Sequence, residues 1–292
     1  MPSDIFTITY EMDPDAVPTM SVDEYVAKVH ASWNELLEQE PKESVVQQFM
    51  ELHPLMVPGA HLGLGHLHKS GHAPFPSAVV TQPPLRGLTA RTPDFLWIAS
   101  DSVFLNPVFV EIEAPSKRWV TATGQQHHEL TQALHQLDEW EEWLDSPVNR
   151  QLFLERYELP RLLLDRQWEP VFVLIYGRRD EDPEAVGRLR ARLTTQTRHV
   201  IPYEHLAPDP DCADYLCVRL ASTGYTAVTV PPTVRLGPMF AEDWALISGK
   251  ESALARSPWM SAARRSFLQR RMPYWDAWGT HGRGVRRLSD RE

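Results

Sequence analysis

The chain has 292 residues, 42% of them hydrophobic, which supplies a sizeable core for one large or two ordinary domains and excludes disorder as the overall state. A formal net charge of -10 argues against indiscriminate binding to nucleic acid, because phosphate affinity comes mainly from Lys and Arg displacing counterions, so a DNA enzyme would have to localise its positive charge. The N-terminus MPSDIFTITYEMDPD lacks a secretion signal's basic start and apolar stretch, no run of about 18 apolar residues appears, and Cys212 and Cys217 fit neither a CxxC pair nor a zinc knuckle, so the expectation is a soluble cytoplasmic protein with inert thiols and no membrane contact.

Residues 1–20 read as a strand and a Pro-containing acidic loop. Ser21 is placed to cap a helix reaching about residue 37, with Val22, Tyr25, Val26, Val29, Trp33, Leu36 and Leu37 at helical spacing. A second helix is expected over about residues 42–52, where Val45, Val46, Phe49 and Met50 form the apolar stripe and Glu43, Gln47 and Glu51 lie elsewhere. From 57 to 84 the chain is rich in Gly, His and Pro and reads as too irregular for a long element. His61, His66, His68 and His72 in that stretch leave two readings open, a zinc or transition-metal site and a mobile or DNA-facing loop.

The segment TPDFLWIASDSVFLNPVFVEIEAPSK, residues 92–117, carries most of the functional information. Phe95, Leu96, Trp97 and Ile98 form one short β-prone run, Val108, Phe109 and Val110 another, and Ser100, Asp101 and Ser102 mark the turn of a hairpin. Asp94 opens the first strand while Glu111 and Glu113 close the second, and because side chains alternate along a strand the two glutamates point the same way. Carboxylates gathered on a largely buried strand are costly unless something positive neutralises them, and a hard divalent cation does so; the rival reading is a solvated sheet face. Beyond the hairpin a helix is expected over about residues 125–144, with Leu130, Ala133, Leu134, Leu137, Trp140 and Leu144 on one side. Its Gln132 and Gln136 are four apart and neighbours on the helix surface, either bonded to a loop or holding water or phosphate. A buried strand at 171–176, a helix at 184–195 and a strand at 199–202 complete an α/β unit. Short strands at 215–220 and 225–230 and helices at 241–247 and 261–271 follow. Arg256, Arg264, Arg265, Arg270, Arg271, Arg283, Arg286, Arg287 and Arg291, interleaved with Trp259, Tyr274, Trp275 and Trp278, suit a phosphate backbone with unstacked bases, or equally an oligomer contact.

Pro93 before Asp94, the strand into the Glu pair, Lys117 beyond it and the glutamine-bearing helix together resemble the PD-(D/E)xK nuclease core. With the flanks EIEAPSKRWVTATG, LTQALHQLDEWEEWL, VFVLIYGRRDED and WNELLEQEPKESVVQQFMELHPLMVPG, the region from about 30 to 205 is similar to the nuclease domain of the Shedu family of bacterial antiphage defence proteins. The resemblance implies an α/β fold: a restriction-endonuclease-like core with a central mixed sheet flanked by helices over residues 41–206, an N-terminal segment over 1–40 and a C-terminal extension over 207–292. It implies Mg²⁺, with Mn²⁺ as a substitute, held by Asp94, Glu111, the backbone oxygen of Ile112 and Glu43, with Glu51 the second choice for that helix. Glu113, Lys117 and Gln132 would serve the chemistry, and Gln136, Arg264, Arg265, Arg270 and Arg271 would contact DNA. The implied assembly is a homo-oligomer, a dimer or tetramer. One departure stands out: Glu113 occupies the place where the pattern has lysine, two residues after Glu111, and Lys117 reaches in from the following loop or is merely solvated beside Arg118. A metal-dependent endodeoxyribonuclease is the leading expectation, against a catalytically inactive nuclease-fold module binding DNA ends or a partner, and a zinc-stabilised interaction protein built on the histidine-rich stretch.

Overall fold

The structure is a computed structural model that describes residues 10–65, 67–85, 92–179, 183–282, 286–287 and 290–292. Ser21 caps α1 (Val22–Glu38), its hydroxyl accepting from the Glu24 N–H, and Tyr25, Val29, Trp33 and Leu37 form the buried stripe. Next comes α2 (Glu43–Leu52), whose N-cap Lys42 gives no capping side chain; Glu43 in the first turn instead places a carboxylate at the positive end of the helix.

Next in chain order are β1 (Phe75–Thr81), β2 (Phe95–Ser100), β3 (Phe104–Ile112), α3 (His128–Asp145), α4 (Pro147–Arg156), α5 (Arg161–Leu164), β4 (Gln167–Trp168) and β5 (Val171–Ile175). They are followed by α6 (Pro183–Leu193), β6 (Arg198–Ile201), β7 (Leu216–Ala221), β8 (Gly224–Thr229), α7 (Ala241–Ala245), β9 (Ile247–Ser248), α8 (Lys250–Leu254) and α9 (Ala262–His281). Among the described residues the strands form one mixed nine-stranded sheet in the order β6-β5-β3-β2-β1-β7-β8-β9, with β4 paired to β3. The 207–292 segment therefore supplies three strands to the same sheet, β7 pairing in parallel with β1.

Alternation along the strands divides the core into two layers. Leu96, Ile98, Phe109, Phe172 and Leu174 face α3, α6, α7 and α9, whereas Phe95, Trp97, Val108, Val110, Ile112, Val173 and Ile175 face α1 and α2. The 57–84 stretch is not irregular throughout: β1 lies in it, central in the sheet and buried at all seven positions. Both of its faces are covered, so FPSAVVT shows no polar alternation, and the surrounding prolines hide the strand. In turn α3 begins at His128 rather than near 125, because residues 119–127 close a loop in which Val120 bridges Gln126 and the His127 N–H donates to the Trp119 carbonyl. No helix among the described residues is long and apolar enough to cross a membrane.

Candidate functional site

The antiparallel register of β2 on β3 pairs Phe95 with Val110 and Leu96 with Phe109, so one step further along Asp94 stands opposite Glu111. The Asp94 N–H donates to the Val110 carbonyl at 3.1 Å. The next rung is made by a side chain: Oδ2 of Asp94 accepts from the Ile112 N–H at 2.8 Å. Asp94 thus ends the ladder while its carboxylate is held over the end of β3. Glu111 projects to the same face, toward α3, where Gln136 Nε2 donates to Oε1 at 2.5 Å. The second oxygen, Oε2, is buried with no backbone, amide or cationic donor among the described residues, while the Glu111 and Asp94 carboxyls lie within hydrogen-bonding reach of each other. A buried carboxylate oxygen left in that state is costly and marks a place where a cation or donor is missing.

Glu113 follows just past the end of β3. Its N–H donates to Ile175 at the end of β5, its carbonyl accepts from the Tyr203 hydroxyl at 2.5 Å, and its Oε2 accepts from Lys117 Nζ at 2.5 Å. The loop that brings Lys117 back depends on Gly177, whose φ is +49° and where a Cβ would collide with the Lys117 carbonyl. Glu43 reaches the group from the surface at the start of α2, facing Glu113 and Lys117. The acids therefore gather beyond the carboxyl ends of the parallel strands β3 and β5, a common place for sites in α/β sheets.

Their electrostatics follow from burial and crowding, which the Lys117 ammonium on Glu113 offsets only in part. Burial is the main cause that pushes the Asp94 carboxyl up to about 7; the Ile112 N–H opposes it, and the charges of Glu43 and Glu113 add to it. Glu111 is raised well above the usual carboxylate range, first by burial and then by Asp94 and Glu113, with Gln136 acting the other way. Partial burial and then Glu113 raise Glu43, while Lys117 counteracts them. Tyr203, buried beside Asp94, Glu43 and Glu113, is also held well above its ordinary value, chiefly by burial, and so stays a donor.

Among the described residues no group of three or more His, Cys, Asp or Glu forms a ready-made cage for an ion. What the end of β3 offers is two facing carboxylates, one with an oxygen that lacks a backbone, amide or cationic donor among the described residues, and the adjacent Ile112 carbonyl. That donor set fits a hard cation such as Mg²⁺, which commonly takes one or two carboxylates and keeps the rest of its shell in water and phosphate.

The comparison with family models matches the description "Shedu protein SduA, C-terminal" over residues 40–206, more than half of the chain. The chain belongs to the Shedu family. That membership implies a role in antiphage defence. No curated protein is similar enough to the chain to count as a match. The matched Shedu region runs from just before α2 to just past Tyr203, so it contains Glu43, Asp94, Glu111, Glu113, Lys117, Gln136 and Tyr203.

Within this Shedu chain the structure brings together Asp94, Glu111, Glu113, Lys117 and Glu43, and separates others expected with them. Glu51 turns away to accept from Thr81 Oγ1 at 2.6 Å. Gln132 is exposed one turn before Gln136 on α3. The expectation for Gln136 as a DNA contact is corrected: its side chain is buried on Glu111. The signal was available, because at about 100° per residue Gln136 lies at the margin of the apolar arc and Gln132 about 40° further round. Tyr203 and the close approach at Gly177 were missed, since both act through backbone carbonyls of residues far away in sequence.

The expectation of a nucleic-acid face on α9 is corrected for Arg264, while Arg270 stays exposed. Arg264 is buried, paired with both carboxylate oxygens of Glu292 and donating to the carbonyls of Val17 and Val234. Arg270 pairs with Asp13 at 2.7 Å, and Arg271 donates to the Glu11 carbonyl while stacking on Tyr274. Arg265 is half-buried. The interleaved Trp275 and Trp278 pack on Tyr10, so the Arg and aromatic pattern serves mainly to seat α9 against the N-terminal segment. Arg283 lies outside the described residues. In the histidine-rich stretch, His61 bonds to the Tyr215 hydroxyl at 3.1 Å and His72 lies 3.4 Å from Ser102 Oγ, while His66 lies outside the described residues.

Proposed function

We propose that this Shedu chain is a divalent-metal-dependent endodeoxyribonuclease built on a PD-(D/E)xK core, active as a homo-oligomer in antiphage defence. The observation that carries the reading is the buried pair Asp94 and Glu111, facing each other across two strands with one carboxylate oxygen lacking a backbone, amide or cationic donor among the described residues. Asp94, Glu111 and the Ile112 carbonyl would hold Mg²⁺ or Mn²⁺, with Glu43 at the outer edge. A bound divalent cation supplies charge neutralisation at a phosphate and a more acidic water.

The chain's own groups then have distinct tasks. Gln136 fixes the rotamer of Glu111 and Ile112 fixes that of Asp94. Glu113 either ligates as well or takes the proton of the attacking water, and Lys117 holds its charge from the loop. Gln132, exposed on α3, and the partly exposed Lys117 would meet a phosphate approaching from solvent. The test is cleavage of linear and supercoiled DNA with Mg²⁺ or Mn²⁺ across a range of salt, with Glu111→Ala as control. Cutting by the parent that is lost in the variant supports the reading; uncut DNA, or equal cutting by the variant, ends it.

A second reading rests on Glu113 in the lysine place: the same fold binding DNA ends or a partner without cleaving. Calorimetric titration with Mg²⁺ separates the two, because the inactive module binds the metal weakly and DNA independently of it.

A further inference from the structure

With Arg264 buried and Arg270 and Arg271 paired to the N-terminal segment, the question is where else a chain of net charge -10 concentrates positive charge for a polyanion. The loop leaving the acid cluster gives a direction. From Lys117 it runs three residues, at most about 10 Å of chain, to Val120, which bridges Gln126. Tyr176 ties it to the end of β5 by donating to the Arg118 carbonyl at 3.1 Å. Beyond the bridge the loop faces α6, and between them lies an open cavity of about 550 Å³ lined by Val120, Gly124, Gln125, Gln126, Arg188 and Arg192.

The sequence of α6 explains why those two arginines are there. Val186 and Leu189 are buried in the core, so Arg188 and Arg192, one helical turn apart, share the side turned to the loop, while Arg190 points elsewhere, 2.7 Å from His205 Nδ1. Neither cavity arginine is held in a strong pair. Arg188 meets Glu184 on the same helix with both side chains exposed, an arrangement that contributes little in water. Arg192 reaches the neutral Gln126 carbonyl oxygen at 3.4 Å. Gly124, at φ +75°, has nothing within 4 Å of where a Cβ would be, so the loop backbone is open to a close ligand. Gln126 in turn donates to Thr131 at 3.0 Å, which anchors the loop to α3 five residues before Gln136.

We infer that Arg188 and Arg192, with the amides of Gln125 and Gln126, grip the phosphodiester backbone of a DNA strand on its way to or from the acid cluster. The inference rests on the nuclease reading and adds to it the path of the substrate. Guanidinium groups match phosphate oxygens in a planar, two-point fashion, and amides with an open backbone complete a sequence-independent grip.

The test measures binding of a fluorescent duplex by anisotropy, without added divalent ion, from low to moderate salt, for the parent, Arg188→Ala/Arg192→Ala and Arg190→Ala. The cavity double variant is expected to bind more weakly on unrelated sequences alike, and its salt slope to fall by about 2, near one for each phosphate that an arginine no longer neutralises. Arg190→Ala removes a charge from another side of the same helix and is expected to keep nearly the parental slope. Parental binding and slope in the double variant, or an equal loss per charge in Arg190→Ala, overturns the inference. If the parent cuts DNA under Mg²⁺ and the double variant cuts equally at every salt concentration, only the path is wrong; if the parent neither binds nor cuts DNA, the nuclease reading falls and takes the path with it.

Discussion

Gln136 donates its amide hydrogen to Glu111 across the gap between α3 and β3 at 2.5 Å, tying the helix layer to the acid cluster. Both residues are buried, and the amide favours the charged form of Glu111 against the burial that disfavours it. Removing it with Gln136→Leu leaves a buried carboxyl short of its donor. A loss of about 1–3 kcal/mol in urea unfolding at pH 8 is expected, and it should shrink toward lower pH as Glu111 takes up its proton. Equal stability of variant and parent at pH 8 would show that the hydrogen bond does not carry this weight.

The raised Asp94 carboxyl has a consequence for stability against pH. Its folded value of about 7 lies above the ordinary value of 3.8, so the folded state binds the proton more tightly. The associated stabilisation is complete below about 4 and is lost as pH rises through about 7, on the order of 4 kcal/mol for this group. Asp94→Asn keeps an acceptor for the Ile112 N–H and removes the titration. In metal-free buffer the variant is therefore expected to gain in melting temperature over the parent between pH 5 and pH 8, and saturating Mg²⁺ should narrow the gap by stabilising the parent alone. A difference that does not change with pH would refute the assignment.

Lys117 pairs with Glu113 while keeping about a quarter of its side-chain surface exposed, with Glu129 a second acid 3.9 Å away. A partly exposed pair of this kind adds roughly 1 kcal/mol or less to stability. Lys117→Met is accordingly expected to leave the melting temperature within a few degrees of the parent but to slow DNA cleavage by one to two orders of magnitude, on the order of general acid–base and charge-positioning effects. Cleavage at the parental rate would return Lys117 to a solvated loop residue.

Arg264 gives the opposite contrast. Its buried guanidinium is held by Glu292 and by two backbone carbonyls, so Arg264→Ala strands a carboxylate inside the protein and should cost about 3–5 kcal/mol. Below its melting temperature the variant is expected to bind DNA with the parental salt slope. A reduced slope in a folded variant would restore the phosphate-binding role that the burial of Arg264 argues against.

Local patterns in the sequence determined the local parts of this protein. The helical spacing behind Ser21, the hairpin with Asp94 at one end and Glu111 at the other, and the buried run of β5 are periodicities of 3.6 and 2 that need only neighbouring residues to be read. Tertiary structure decided what depends on residues distant in the chain. It placed β1 between β2 and β7, turned Gln136 rather than Gln132 onto Glu111, brought Tyr203 to the Glu113 carbonyl, and buried Arg264 against Glu292. Sequence spacing gives a side chain its face on its own element; which partner that face meets is set by how the layers pack, and a charged or amide group looks the same in sequence whether it ends in water or on a buried carboxylate.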